Sequence, residues 1–160
     1  MEFEGLLGYA HGMVTKSIAG LAENNRTEEV ACGAWSARDV MGHLCTFKLY
    51  TVDVISTFVG NTATPYLDLM GQQRGNFGDE QVAQRKHFSF EENLLDYNVA
   101  HARMMALLAR IPAATLHQAG TLPWYGMEYA LDDFILYTDF GHQIEHASQL
   151  ALLRDRVLVR

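Results

Sequence analysis

Residues 131–153 read LDDFILYTDFGHQIEHASQLALL, and the spacing within this stretch decides the fold. Leu131, Ile135, Thr138, His142, His146, Gln149 and Leu153 recur every three or four residues, which lines one face of an α-helix. Asp132 and Asp133 near the start and Arg154 and Arg156 near the end suit the two ends of the helix dipole. A helix from about Glu128 to Asp155 is expected. Two positions on its inward stripe, where apolar residues would continue the pattern, are histidines.

Upstream the same periodicity repeats. Ser36-Ala37-Arg38-Asp39 is a capping box, in which the serine oxygen accepts from an amide three residues on and the carboxylate reaches back. It opens a helix expected to reach Val59, with Gly60-Asn61 as its stop and Val40, His43, Phe47, Tyr50 or Thr51, Val54 and Phe58 inward. A second box, Ser89-Phe90-Glu91-Glu92, opens a helix ending at Ile111 before Pro112, with Leu94, Tyr97, His101, Met105 and Leu108 inward. A first amphipathic helix is expected from Phe3 to Glu23, carrying Leu7, His11, Val14, Ile18 and Leu21 on one face, before a loop at Asn24-Asn25-Arg26. Residues 60–87 are Gly-, Gln- and Asn-rich with Pro65 near the start, a long and partly helical loop with a short helix over 79–86. A second loop, 112–127, carries Pro123, Trp124 and Gly126. No stretch of strict two-residue alternation stands out. The expected architecture is all-α: one domain over 1–160, an antiparallel four-helix bundle, up-down-down-up or similar.

Composition narrows the function. A chain of 160 residues can bury a core of its own. A formal net charge of -7 with no basic stripe argues against nucleic-acid binding and gives no pull toward an anionic membrane. Two cysteines, Cys32 and Cys45, lack the spacing of a zinc knuckle or a disulfide framework. Without a signal-peptide pattern or a membrane-spanning apolar run, a soluble cytoplasmic protein is expected.

The chemistry then rests on histidines. His142 and His146, four residues apart, share a helix face one turn from each other, and His43 from another helix can complete a trio. Three neutral imidazoles around a divalent ion leave its charge intact and at least one coordination position open. The chain has seven histidines, so one pair at this spacing is weak evidence alone, and buried imidazoles are commonly hydrogen-bonded core residues. Both readings of the trio stand on spacing alone. His142-Gln143-Ile144-Glu145-His146 also fits the H-x-x-E-H pattern of inverted zinc peptidases. The further acidic ligand expected well downstream, and the long peptidase architecture, are missing, so that match is set aside.

The combination Trp35-Ser36-x-x-Asp39-x-x-x-His43 with His142-x-x-x-His146-x-x-Gln149 resembles the DinB-like (DinB/YfiT-like) superfamily of metal-binding four-helix proteins. Residues 76–112 and the Trp124-Tyr125-Gly126 turn are also similar to that group, so the resemblance covers nearly the whole chain. It implies a divalent ion, zinc or nickel, held by His43, His142 and His146, in a homodimer acting on a small-molecule substrate. It further implies thiol-dependent S-transfer, with a low-molecular-weight thiol as co-substrate, or hydrolysis. A non-catalytic dimeric metal-binding or stress-response protein is the alternative. Where many relatives have an aromatic-Glu pair after the histidine of the second helix, this chain has Phe47-Lys48, which departs from any carboxylate acid-base role there.

Further candidates surround the trio. Asp39 and Asp139 are placed to orient a ligand histidine, although Asp39 already has a capping role. His101 can approach as a base, and Glu145 and Gln149 stand beside the ligands on their own helix. Trp124, with Trp35 and Tyr125, can wall a pocket mouth, and Arg85 or Arg74 can anchor a substrate carboxylate. Cys45 reads as a small buried filler.

Overall fold

The computed structural model describes residues 2–159. It is predominantly helical, built around α3 (Ala37–Thr57), which is buried on nearly every side. Its start is the capping box expected from sequence: Ser36 Oγ accepts from the Asp39 amide, and the Asp39 carboxylate accepts from the Ser36 amide at 3.1 Å. α6 (Phe90–Leu108) opens on the corresponding Ser89/Glu92 box and packs along α3. Its buried face is Phe90, Asn93, Tyr97, Ala100, Met104 and Leu108, so Met104 rather than Met105 points inward.

α1 (Phe3–Ile18) stops five residues before the expected Glu23. Gly20 takes a positive φ of 81°, the left-handed conformation that ends helices and that glycine adopts without a Cβ penalty. Leu21 is still buried beyond that end. The expected loop that follows contains a helical turn, α2 (Glu23–Thr27), and then a small antiparallel hairpin of β1 (Val30–Cys32) and β2 (Trp35–Ser36). Strands this short leave no alternation to read.

The long connection after α3 is mostly helix. α4 (Pro65–Gln73) begins with Pro at its first turn, where the missing N–H costs nothing. The buried Asp53 carboxylate accepts from the Tyr66 and Leu67 amides, so a residue of α3 caps α4. A 3-10 turn, Arg74–Asn76, leads into α5 (Phe77–Gln84), and both α4 and α5 lie on α3. The connection to the last helix holds α7 (Ala113–Leu116).

The last helix is three segments in continuous right-handed helical backbone: α8 (Leu131–Ile135), a π-helical stretch Leu136–Gly141, and α9 (His142–Leu158). It starts at Leu131, where the Asp133 carboxylate accepts from the Ala130 amide at 2.9 Å, rather than at Glu128. α1 packs along α9, and α3 meets both the π segment and α9. Lys48 on α3 and Asp139 in the π segment form a buried ion pair at 2.7 Å. Gln143 donates to the other Asp139 oxygen at 2.7 Å, and the Tyr97 hydroxyl donates to Gln143. This network ties three helices together at the π segment, a distortion that recurs near functional sites. Among the described residues no helix is long and apolar enough to cross a membrane.

Candidate metal centre

His43 projects from the middle of α3, His142 opens α9 immediately after the π stretch, and His146 follows one turn later. The three meet. His142 Nε2 lies 2.8 Å from His43 Nε2 and 3.0 Å from His146 Nε2, and the candidate ligand nitrogens all fall within 4.8 Å of one another. The rings are arranged edge to face, at interplanar angles of 84°, 75° and 70°, so their nitrogens rather than their faces converge.

The hydrogen bonds at the far side of two rings fix their tautomers. His146 Nδ1 lies 2.7 Å from Gln149 Oε1, which only accepts, so Nδ1 carries the proton. His142 makes a hydrogen bond to the backbone of Thr138, one turn back, which places its proton on Nδ1 as well. Both Nε2 atoms then present bare lone pairs to each other across 3.0 Å. Such a contact is repulsive unless a cation lies between. Burial, the largest cause, holds His43 down to about 2 and His142 down to about 3 and lowers His146, so a proton is a poor candidate for that cation. Two nitrogens at roughly 2.0–2.1 Å from a shared ion stand about 2.9 Å apart at a right angle and about 3.3 Å apart at the tetrahedral angle. The observed separations suit a shared divalent ion.

Packing fixes the third imidazole, that of His43. Trp35 and Phe47 close on the His43 ring at centroid distances of 4.6 and 4.7 Å, and Phe47 also reaches His142 at 4.5 Å. Gly78 at the start of α5 completes the cover: a Cβ there would stand 3.1 Å from His43 Cε1 and 3.3 Å from Nδ1. His43 Nδ1 is buried with no hydrogen-bond partner among the described residues. Gly78 was not singled out from sequence. A glycine in a Gly-rich connection carries no mark of what it packs against.

No protein-family model, curated protein or solved structure matches this chain.

A cavity of about 570 Å³ opens against His142. Phe47, Tyr50, Tyr125, Phe134, Tyr137 and Met70 form its apolar walls, and Thr138, Gly141 and Glu145 complete it beside the histidine. Of the candidates named from sequence, Gln149 and Glu145 reach this region: Gln149 orients His146, and Glu145 lines the cavity. The others are held elsewhere. Asp39 spends its carboxylate on Ser36 and on Lys86 at 3.2 Å, and does not orient His43. Arg85 bonds Asn93 at 2.7 Å and Asp96, lies over the Phe88 ring and does not line the cavity. Arg74 is exposed and lines neither cavity described here. Trp124 is 53% exposed and rests on Phe134 and Tyr125 behind the wall. Trp35 borders a separate, smaller hollow beside Cys32. Asp139 serves Lys48 and Gln143, not a ligand histidine. His101 stacks on His11 instead of joining the trio. Cys45 is buried, which pushes its thiol up to about 12 and leaves it inert at neutral pH.

Proposed function

We propose that this protein binds one divalent metal ion, zinc or nickel, through His43, His142 and His146, and uses it as an enzyme on a small-molecule substrate. The observation that carries the reading is the convergence of three Nε2 atoms, two of them with their Nδ1 protons already engaged. Bound there, the ion would keep its full charge and an open position, and would lower the pKa of a coordinated water or thiol or polarise a substrate carbonyl. The chain's own residues supply the rest. Gln149 sets the direction of the His146 lone pair, and Trp35, Phe47 and Gly78 shield the ligands from bulk water. The aromatic walls lead a substrate to the exposed edge of His142.

The wider reading is a DinB-like protein, with α1, α3, α6 and the α8–α9 helix as an antiparallel four-helix bundle, assembled as a homodimer. Two chemistries fit it, hydrolysis and thiol-dependent S-transfer. The cavity beside His142 supports catalysis over passive metal storage, which needs no substrate-sized access. A panel of esters, amides and electrophiles, each with and without thiols, tests this before and after chelation. The expected result is a turnover lost on chelation and regained with zinc or nickel. Metal binding without a metal-dependent rate in any class would make the protein a passive metal binder.

A further inference from the structure

We infer that the outer face of α6 is a self-docking surface, on which two copies of this chain pair their α6 helices antiparallel. This rests on the homodimer reading above for the presence of a second copy, while the face and the direction come from α6 itself.

α6 buries one face against α3. Its opposite face carries Leu95, Val99, Ala102 and Ala106, with Ala109 at the C-cap, and all five are exposed. Leu95 is 62% and Val99 59% exposed. Their spacing of four, three, four and three is the 3.5-residue repeat by which one helix seams to another. Polar and charged residues are the rule on the solvent side of a bundle helix. α9 follows that rule, since the same spacing on its exposed face gives Glu145, Ser148, Leu152 and Asp155. An unbroken apolar seam about 21 Å long, left open to solvent, marks a docking surface.

The seam is complementary to itself in one direction only. Its large residues, Leu95 and Val99, fill the first half, and alanines fill the second. Two copies running antiparallel about a two-fold axis set the partner's Ala106 against Leu95 and the partner's Ala102 against Val99. Large then meets small along the contact, and the helices keep an even spacing. Parallel copies would set leucine on leucine at one end and alanine on alanine at the other, which splays them. Charge selects the same direction. Asp96, Arg103 and Arg110 are spaced by seven, so they line one flank of the seam, acidic in its first half and basic in its second. The antiparallel two-fold lays this flank on the same flank of the partner and brings Asp96 to the partner's Arg103 twice over. Arg103 is exposed, and Arg85 takes Asp96 Oδ2, which leaves Oδ1 for the partner. One helix seam is narrow beside the roughly 800 Å² per partner of a standard interface, so a dissociation constant on the order of 10–100 µM is expected.

Sedimentation velocity on purified full-length protein, from about 5 to about 500 µM, brackets that range and tests the pairing. The expected result is a wild-type dimer that Val99→Glu weakens at least about tenfold, because it buries a charge in the seam. Val99 is exposed in the single chain, so the substitution leaves the fold in place, which far-UV circular dichroism checks. Asp96→Arg and Arg103→Asp, each alone, set like charges together and should weaken the dimer about fivefold or more. An equimolar mixture of those two variants makes both contacts opposite again and should pair within about twofold of the wild type. A dimer indifferent to Val99→Glu, or a mixture no stronger than its components, would overturn the inference and leave the homodimer standing on another face. A wild-type protein that stays monomeric throughout would overturn both and leave the seam to a different occupant.

Discussion

His142 and His101 are both half-buried imidazoles on long helices, yet they sit in opposite kinds of cluster. Around His142 the rings stand edge to face and three Nε2 atoms point at one another. His101 and His11 lie face to face, with centroids 3.9 Å apart and planes 8° from parallel, and Tyr97 extends the stack at 4.8 Å. Parallel rings direct their in-plane lone pairs side by side and never to a common point. The trio has the geometry of a candidate ligand set, and the pair is packing. Burial alone does not separate them, since it depresses proton affinity in both. Lone-pair direction does.

Lys48 links the two, because its ammonium acts on His11, His101 and His142 alike while its salt bridge holds the π segment. The largest expected effect comes from breaking that link. Lys48→Met leaves Asp139 charged and unpaired in the interior and should cost about 3–5 kcal/mol in denaturant unfolding. Lys48→Met with Asp139→Leu should recover most of the loss. A single substitution costing under about 1 kcal/mol would remove the ion pair from the account of how His142 is placed.

Gln149→Ala sharpens the contrast at the ligand side. It frees the His146 ring and should weaken metal binding about 10–100-fold in competition with a chromophoric chelator. His11→Ala should leave that affinity within about twofold.

Acid titration probes what the clusters share. Mainly through burial, His11 is held down to about 4 and His101 and His142 to about 3, against 6.5 in an unfolded chain. Below 6.5 the unfolded state therefore binds protons that the folded state refuses. Stability of the metal-free protein should be complete above that pH and fall as the pH drops toward 4 and 3, by up to about 1.4 kcal/mol per pH unit for each histidine. His11→Gln with His101→Gln should remove up to about two protons from that slope without touching metal affinity. Denaturant unfolding at a series of pH values measures both, and an unchanged slope would count against buried neutral imidazoles in the stack.

Much of this was legible in the sequence. Ser36/Asp39 and Ser89/Glu92 announced two helix starts because capping boxes are local chemistry, independent of the rest of the fold. The trio was legible because helical spacing brings His142 and His146 to one face, and His43 occupies an inward position of its own helix. Other features depend on partners far along the chain. Pro65 stood near the start of a stretch expected to be a partly helical loop, and only the fold, with the Asp53 carboxylate of α3 accepting from the next two amides, shows it to be the first turn of α4. The stretch Leu136–Gly141 has no sequence mark of its π turn, which Lys48 braces from another helix. Arg85 and Asp39 illustrate the same limit: a charge that looks free in the sequence is committed in the fold to Asp96 or Lys86, partners far along the chain or on another element. Glu145 and Gln149 stand beside the histidines alike in the sequence, and only the fold gives one to the cavity and the other to His146.

Metal analysis of tag-free protein after reconstitution tests the central contrast most directly. About one equivalent of tightly bound divalent ion per chain is expected in the wild-type protein and in His101→Ala, and less than about a tenth of an equivalent in His142→Ala. Under a tenth of an equivalent in the wild-type protein, or His142→Ala retaining what the wild type binds, would contradict it.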